Sequence, residues 1–291
     1  MQEISIFIAH ESYVLGLAFS SDGHTLISSG MDKHVRLWSV PDWQLIHSVQ
    51  AHDHSVNSLS LSPEASILAT GSTETTVRLW SFPGLELRHT LQDRKKVVAT
   101  VKISPDGRLV AAGSYGGRVA LWNLAGELLA AWQTPHKNLA ALAFSPDGRL
   151  LAASGLGDEI SLWQLPDGIS VGVLSGHKTA VLGLRFIQGG KRLVSLGYDQ
   201  TISFWDAHTW LVERTLPAPG VGLRGLAFSP DEQVVAVSLE SQVQLRRVQD
   251  WELVAELPIS TKVVNGMAFT PDGRLLAIGG ADRKIRIWDI S

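Results

Sequence analysis

Six tryptophans recur at a nearly fixed interval, and that interval limits the fold more than any other feature of the chain. Trp38, Trp80, Trp122, Trp163, Trp205 and Trp288 each close a short run: VRLW, VRLW, VALW, ISLW, ISFW and IRIW. Successive spacings are 42, 42, 41, 42 and 83. The last is twice the period, so a further copy is expected near position 246. There the chain reads VQLR, with Arg246 in the tryptophan position. Seven copies follow, and a repeat of about 40–45 residues points to units that stack because none can bury its own faces alone.

A second marker runs in phase. The turns SSDG (20–23), SPEA (62–65), SPDG (104–107), SPDG (145–148), SPDE (229–232) and TPDG (270–273) precede the repeats' closing runs; the fifth copy has IQGG (187–190) instead. Proline presets φ at the first central turn position, and glycine accepts the positive φ that closes the turn. Between markers lie short apolar or alternating runs such as GRLVAAGS and GRLLAASG. Such runs of about 4–8 residues between turn signals read as strands, and no long helical period is present. About four strands per copy, seven times over, predict an all-β fold: a seven-bladed β-propeller with four-stranded antiparallel blades, residues 1–291 forming a single domain.

With these markers the sequence resembles the WD-repeat (WD40) family along essentially its whole length, although the literal Trp-Asp pair occurs only at Trp205-Asp206 and Trp288-Asp289. The resemblance implies an outermost strand after each tryptophan, as in WQLIHSV (43–49) and LELRHTL (85–91). The chain stops at Ser291 without one. Residues 4–8 (ISIFI) are therefore expected to close the ring by pairing into the last blade, giving a complete propeller without free edges.

The resemblance also assigns a histidine, a serine or threonine and an aspartate to set positions in each copy. His10, Ser28, Asp32 and Trp38 fill them in the first copy, and His177, Ser195, Asp199 and Trp205 in the fifth. These are residue types of a hydrolase triad, but a triad is defined by geometry and role. A structural network explains them better. The indole N–H needs an acceptor when buried, serine can accept it and donate to histidine, and histidine can donate to aspartate. The other copies lack members: Ala112 and Gly116 in the third, Ala153 and Gly157 in the fourth, Ser260 and Ile278 in the seventh. On this reading Asp32→Ala or Asp199→Ala destabilises more than Asp282→Ala.

Other constellations are weak. His52-Asp53-His54 lacks the further ligands zinc requires. Arg94-Lys95-Lys96 is short for a nucleic-acid groove. The glycine-rich hairpins precede no helix, so they match no phosphate-binding fingerprint. Net charge is −3, and the 291 residues contain no cysteine and no apolar run long enough to span a bilayer; the N-terminal residues are not expected to be a secretory leader. No catalytic residue, cofactor or metal is expected, nor nucleic acid or membrane as partner; the chain should be cytoplasmic.

Family members resemble one another in binding partners on the face bearing the loops that enter the innermost strand. Carried over position by position, this implies Tyr13, Leu15, Met31, Asn57, Tyr115, Leu156, Leu182, Tyr198, Arg224, Leu239 and Asn265 as partner-binding residues. Most are apolar, and large exposed apolar patches mark interaction sites. Arg224 is expected to grip a carboxylate or carbonyl of the ligand. The function expected is a non-catalytic scaffold that binds a protein or peptide partner around the central channel, as a monomeric propeller within a larger complex. The alternatives are a small-molecule or peptide sensor using that channel, or a regulatory domain of a larger signalling protein.

Overall fold

Repeated turns register the strands, and side chains clamp those turns. In the computed structural model, which describes residues 1–64, 66–93, 95–218, 225–239, 242–259 and 263–291, Ser20 Oγ donates to Asp22 Oδ1 (2.5 Å) and accepts from the Thr25 amide (2.9 Å). Asp22 Oδ1 also accepts the His24 amide at 2.9 Å, and Gly23 takes φ +74°. The same clamp recurs at Ser104–Asp106, Ser145–Asp147, Ser229–Asp231 and Thr270–Asp272. The fifth copy, lacking the motif, turns through a short 3-10 helix at Gln188–Gly190, with Gly189 and Gly190 at positive φ. The Ser-x-Asp-Gly sequence is thus a self-contained hairpin device, since each polar group finds its partner within five residues.

The strands form seven four-stranded antiparallel sheets in chain order, the blades of an all-β propeller. The chain divides into two compact units, residues 1–59 with 220–291 and residues 60–219.

The first unit holds blade 1 (Val14–Phe19, Thr25–Gly30, His34–Ser39, Leu45–Gln50), blade 6 (Leu226–Phe228, Val234–Ser238, Gln242–Arg247, Leu253–Pro258) and blade 7. Blade 7 joins Val264–Phe269, Leu275–Gly280 and Lys284–Asp289 to the N-terminal strand Gln2–Ile8. That strand runs antiparallel to Lys284–Asp289, with Ile8 opposite Lys284 and Gln2 opposite Asp289. It starts two residues before the span expected from sequence. Val14, Leu26, Trp38, Ala277, Ile285 and Ile287 pack between blades 7 and 1, with Phe7 from the closing strand against them. Leu245, Leu257, Val264, Leu276 and Trp288 fill the space between blades 6 and 7.

The boundary between units runs through Val56–Leu61, the first strand of blade 2, which continues with Ile67–Ser72, Val77–Ser81 and Leu87–Leu91. The second unit adds blade 3 (Val98–Ile103, Leu109–Ser114, Arg118–Asn123, Leu128–Gln133), blade 4 (Leu139–Phe144, Leu150–Gly155, Glu159–Gln164, Ile169–Ser175) and blade 5 (Val181–Ile187, Arg192–Gly197, Thr201–Asp206, Val212–Pro217). Its cores also lie between blades: Val101 and Trp122 with Ala69 and Leu79, then Leu142 and Trp163 with Leu121, then Phe186 and Trp205 with Leu162. Within each unit, Trp38, Trp122, Trp163, Trp205 and Trp288 thus pack against the preceding blade, which is why the near-42-residue spacing persists.

Candidate functional site

In blade 1, Trp38 Nε1 donates to Ser28 Oγ (2.9 Å), His10 Nε2 stands 2.8 Å from the same hydroxyl, and His10 Nδ1 stands 2.8 Å from Asp32 Oδ1. Asp32 Oδ2 accepts the Glu11 amide at 2.9 Å. Blade 5 repeats the arrangement: Trp205 Nε1 to Ser195 Oγ at 2.8 Å, His177 Nε2 to Ser195 Oγ at 2.7 Å, His177 Nδ1 to Asp199 at 3.2 Å. With Nδ1–H donating to the carboxylate, Nε2 is left to accept the serine hydroxyl, and every member is satisfied. Ser28 and Ser195 are fully buried, so neither hydroxyl can meet a substrate. In blade 2, Thr70 takes the serine position and accepts Trp80 Nε1 at 2.9 Å. Blade 4 differs because His136 contacts Ser161 Oγ (3.3 Å) from the third strand, its usual second-strand partner being Ala153.

Arginines that sequence reasoning passed over complete three blades. Arg36 NH1 lies 2.6 Å from Asp32 Oδ2, Arg78 NH2 3.1 Å from Glu74 Oε1, and Arg286 NH2 2.5 Å from Asp282 Oδ2. The signal was available: arginine two residues before tryptophan and four after the acidic position, in VRLW, VRLW and IRIW. Burial opposes ionisation of Asp32, but the bonds from His10 and Arg36 outweigh it and hold the carboxyl well below the usual range. Burial likewise pushes His10 below its ordinary value, against the pull of Asp32. Arg286 is 1% exposed, so Asp282 neutralises a buried cation even though the blade lacks serine. Ile278 fills that position, and Trp288 Nε1 is buried with no partner among the described residues.

The hairpins before the third strands carry the residues expected to bind. In blades 1, 3, 4, 5 and 7 the hairpin is tied by its backbone to the loop entering the first strand. In the first unit, the Met31 amide donates to Tyr13 O (2.9 Å), and Tyr13 and Met31 are each 44% exposed. In the second unit, Tyr115, Leu156 and Tyr198 donate to Val97 O, Asn138 O and Ala180 O at 2.7–2.9 Å. Their side chains are 46%, 53% and 62% exposed. These are large apolar groups held outward on fixed backbone. Leu15, Leu182 and Asn265 occupy a β-bulge, the unpaired second residue of their strands. A bulge re-aims a side chain, and here it leaves all three half-buried.

Several expectations change. Leu239 is only 7% exposed, and its amide donates to Gln242 O. Asn265 Nδ2 donates to Val14 O at 3.0 Å, so this amide ties blade 7 to blade 1. Asn57 is half-buried. Arg224 lies outside the described residues. Sequence did not flag the exposed apolar side chains of two outer strands: Ile4, Ile6 and Ile8 in the first unit and, separately, Ile169, Val171 and Val173 in the second, where Leu211, just before Val212–Pro217, is 69% exposed. Among the described residues no three His, Cys, Asp or Glu side chains converge as a metal site, and no helix is long and apolar enough to cross a membrane.

Comparison with known proteins agrees with this architecture. The family described as IFT122 first beta-propeller matches residues 3–209, and the family described as WD domain, G-beta repeat matches residues 251–289. Transducin beta-like protein 3 of Homo sapiens is 44% identical over 46 residues, 16% of this chain and 6% of that protein. The match thus spans only a small part of that relative's length.

Proposed function

Because the chain belongs to the WD-repeat propeller family represented by the IFT122 first beta-propeller, we propose that it is a non-catalytic scaffold that binds a partner protein or peptide. The partner docks on the hairpin side of the blades. One observation carries this reading: Tyr115, Leu156 and Tyr198 stand at the same hairpin position in three consecutive blades, each about half exposed or more. Tyrosine is a common interface anchor because it offers area and a polar tip at low entropic cost. Rigid strands behind each hairpin supply the preorganisation that limits the loss of freedom on binding. The buried networks stabilise the blades and leave no accessible nucleophile among themselves. The chain acts in the cytoplasm as one propeller of a larger assembly.

Recovery of partners on immobilised protein tests this. A protein retained by wild type and released by folded Tyr115→Ala/Tyr198→Ala supports docking on the hairpins. Equal retention by the variant removes them from the interface.

A further inference from the structure

The residue after the histidine position carries a charge in five blades, and its sign changes along the chain. It is Glu11 and Asp53 in blades 1 and 2, and Lys95, Lys137 and Lys178 in blades 3, 4 and 5. The three lysines belong to the second unit and are exposed, as is the neighbouring Lys96. Among the described residues none of these four ammonium groups has an ion-pair partner. The carboxylates close by are mostly occupied. Asp93 is bonded to Arg118, and Asp199 to His177 and Thr201 with its side chain 7% exposed. Asp158 and Glu159, beside His136, remain, and only Asp158 is exposed.

These lysines flank the apolar hairpins. The loop residues that accept the hairpin amides, Val97, Asn138 and Ala180, lie one or two residues beyond Lys95, Lys137 and Lys178. The Gly116 amide, next to Tyr115, donates to Lys137 O, so the hairpin of blade 3 and the loop of blade 4 are continuous. The same sign continues along the first strands. Lys102 and Arg185 occupy one register position, opposite Ala111 and Val194.

We propose that blades 3 to 5 bind an acidic protein segment, glutamate or aspartate interleaved with apolar side chains, its carboxylates meeting Lys95, Lys137 and Lys178 and its apolar groups meeting Tyr115, Leu156 and Tyr198. This rests on the scaffold reading above and names the chemistry of the partner. Unpaired exposed cations beside fixed apolar anchors give such a segment both charge complementarity and buried area. Nucleic acid is disfavoured, because a short arc of lysines neutralises few phosphates in a chain of net charge −3.

Fluorescence anisotropy of a labelled peptide of alternating glutamate and leucine tests the proposal. The controls are a peptide of alternating lysine and leucine and an oligouridine strand. Wild type should bind the acidic peptide, with affinity falling at least about tenfold in Lys95→Glu/Lys137→Glu/Lys178→Glu and again in high salt. Because the three side chains are exposed, the variant should keep the wild-type melting temperature. Lys95→Gln/Lys137→Gln/Lys178→Gln should show a smaller loss in the same direction. No binding of the acidic peptide, binding indifferent to charge reversal, or tighter binding of the oligonucleotide overturns the proposal. A native partner released by Tyr115→Ala/Tyr198→Ala but retained by the lysine variant also overturns it while leaving the scaffold reading standing.

Discussion

Asp282→Ala separates what the repeat pattern suggests from what the packed blade requires. By pattern alone Asp282 belongs to an incomplete copy, and its loss should cost less than that of Asp32 or Asp199. In the structure it pairs with Arg286, whose side chain is 2% exposed, while Asp282 is 24% exposed. Removing one member of a buried pair costs about 3–5 kcal/mol, because the other charge stays desolvated without compensation. Two features reduce this here. Asp282 is partly hydrated, and Glu3 Oε2 stands 3.8 Å from Arg286 Nε. The expected loss is about 2–3 kcal/mol. Asp199→Ala removes acceptors from the Lys178 and Thr201 amides and from His177, a loss of about 1–3 kcal/mol. The two variants should therefore be comparable, which removes the ranking of Asp199 over Asp282 drawn from sequence. Urea denaturation followed by tryptophan fluorescence and far-UV circular dichroism gives the midpoints. The double variant Asp282→Ala/Arg286→Met should recover most of the loss, since an apolar pair can replace a buried ionic one. A single variant within about 0.5 kcal/mol of wild type, or a double variant no better than the single, would refute the reasoning.

Other outcomes follow from the same geometry. Ser28→Ala strands both Trp38 Nε1 and His10 Nε2 and should cost about 2–3 kcal/mol in a urea titration, whereas Ser29→Ala, whose buried hydroxyl has no partner among the described residues, should be neutral or stabilising; equal effects would contradict the network. The folded pKa of Asp32 lies below its unfolded value of about 3.9, so its contribution is whole above that pH and drains as pH falls through the folded value. His10 is lowered too, so its share begins to fall below about pH 6.5. Wild type should thus lose stability between about pH 5 and 2 more steeply than Asp32→Asn, and parallel curves would count against this. Gly117→Ala should abolish folding or cost several times more than Gly148→Ala: both glycines have positive φ, but a methyl at 117 collides with the His136 carbonyl while 148 is open. Comparable melting temperatures for the two would be the adverse result.

The parts legible in sequence are those whose interactions are local or strictly periodic. The Ser-x-Asp-Gly turns close within five residues, so they could be read directly. The tryptophans covering one neighbour each, as Trp122 covers Leu79, could be read from spacing. The closing strand was legible because a missing fourth strand at one end matched an apolar run at the other. What escaped depends on compensation across copies. Arg286 replaces a histidine as the partner of Asp282, and Ser161 replaces a second-strand hydroxyl for His136. Side-chain direction was also hidden: a position count places Leu239 among exposed residues, whereas it is buried, and Asn265 reaches a neighbouring carbonyl. Exposure of apolar groups on the outer strands, as at Ile169, Val171 and Val173, was not marked by any pattern in the repeat.

The central claim is that a partner protein docks on the hairpin side, and two apolar surfaces compete for that role. Photo-crosslinking decides between them. Benzoylphenylalanine placed at Tyr198, on the hairpin of blade 5, or at Leu211, just before the fourth strand of the same blade, reports which side a partner covers in cells. The account predicts a crosslinked protein from position 198 and none from position 211. A crosslink from 211 alone would contradict it and move the interface to the outer strands.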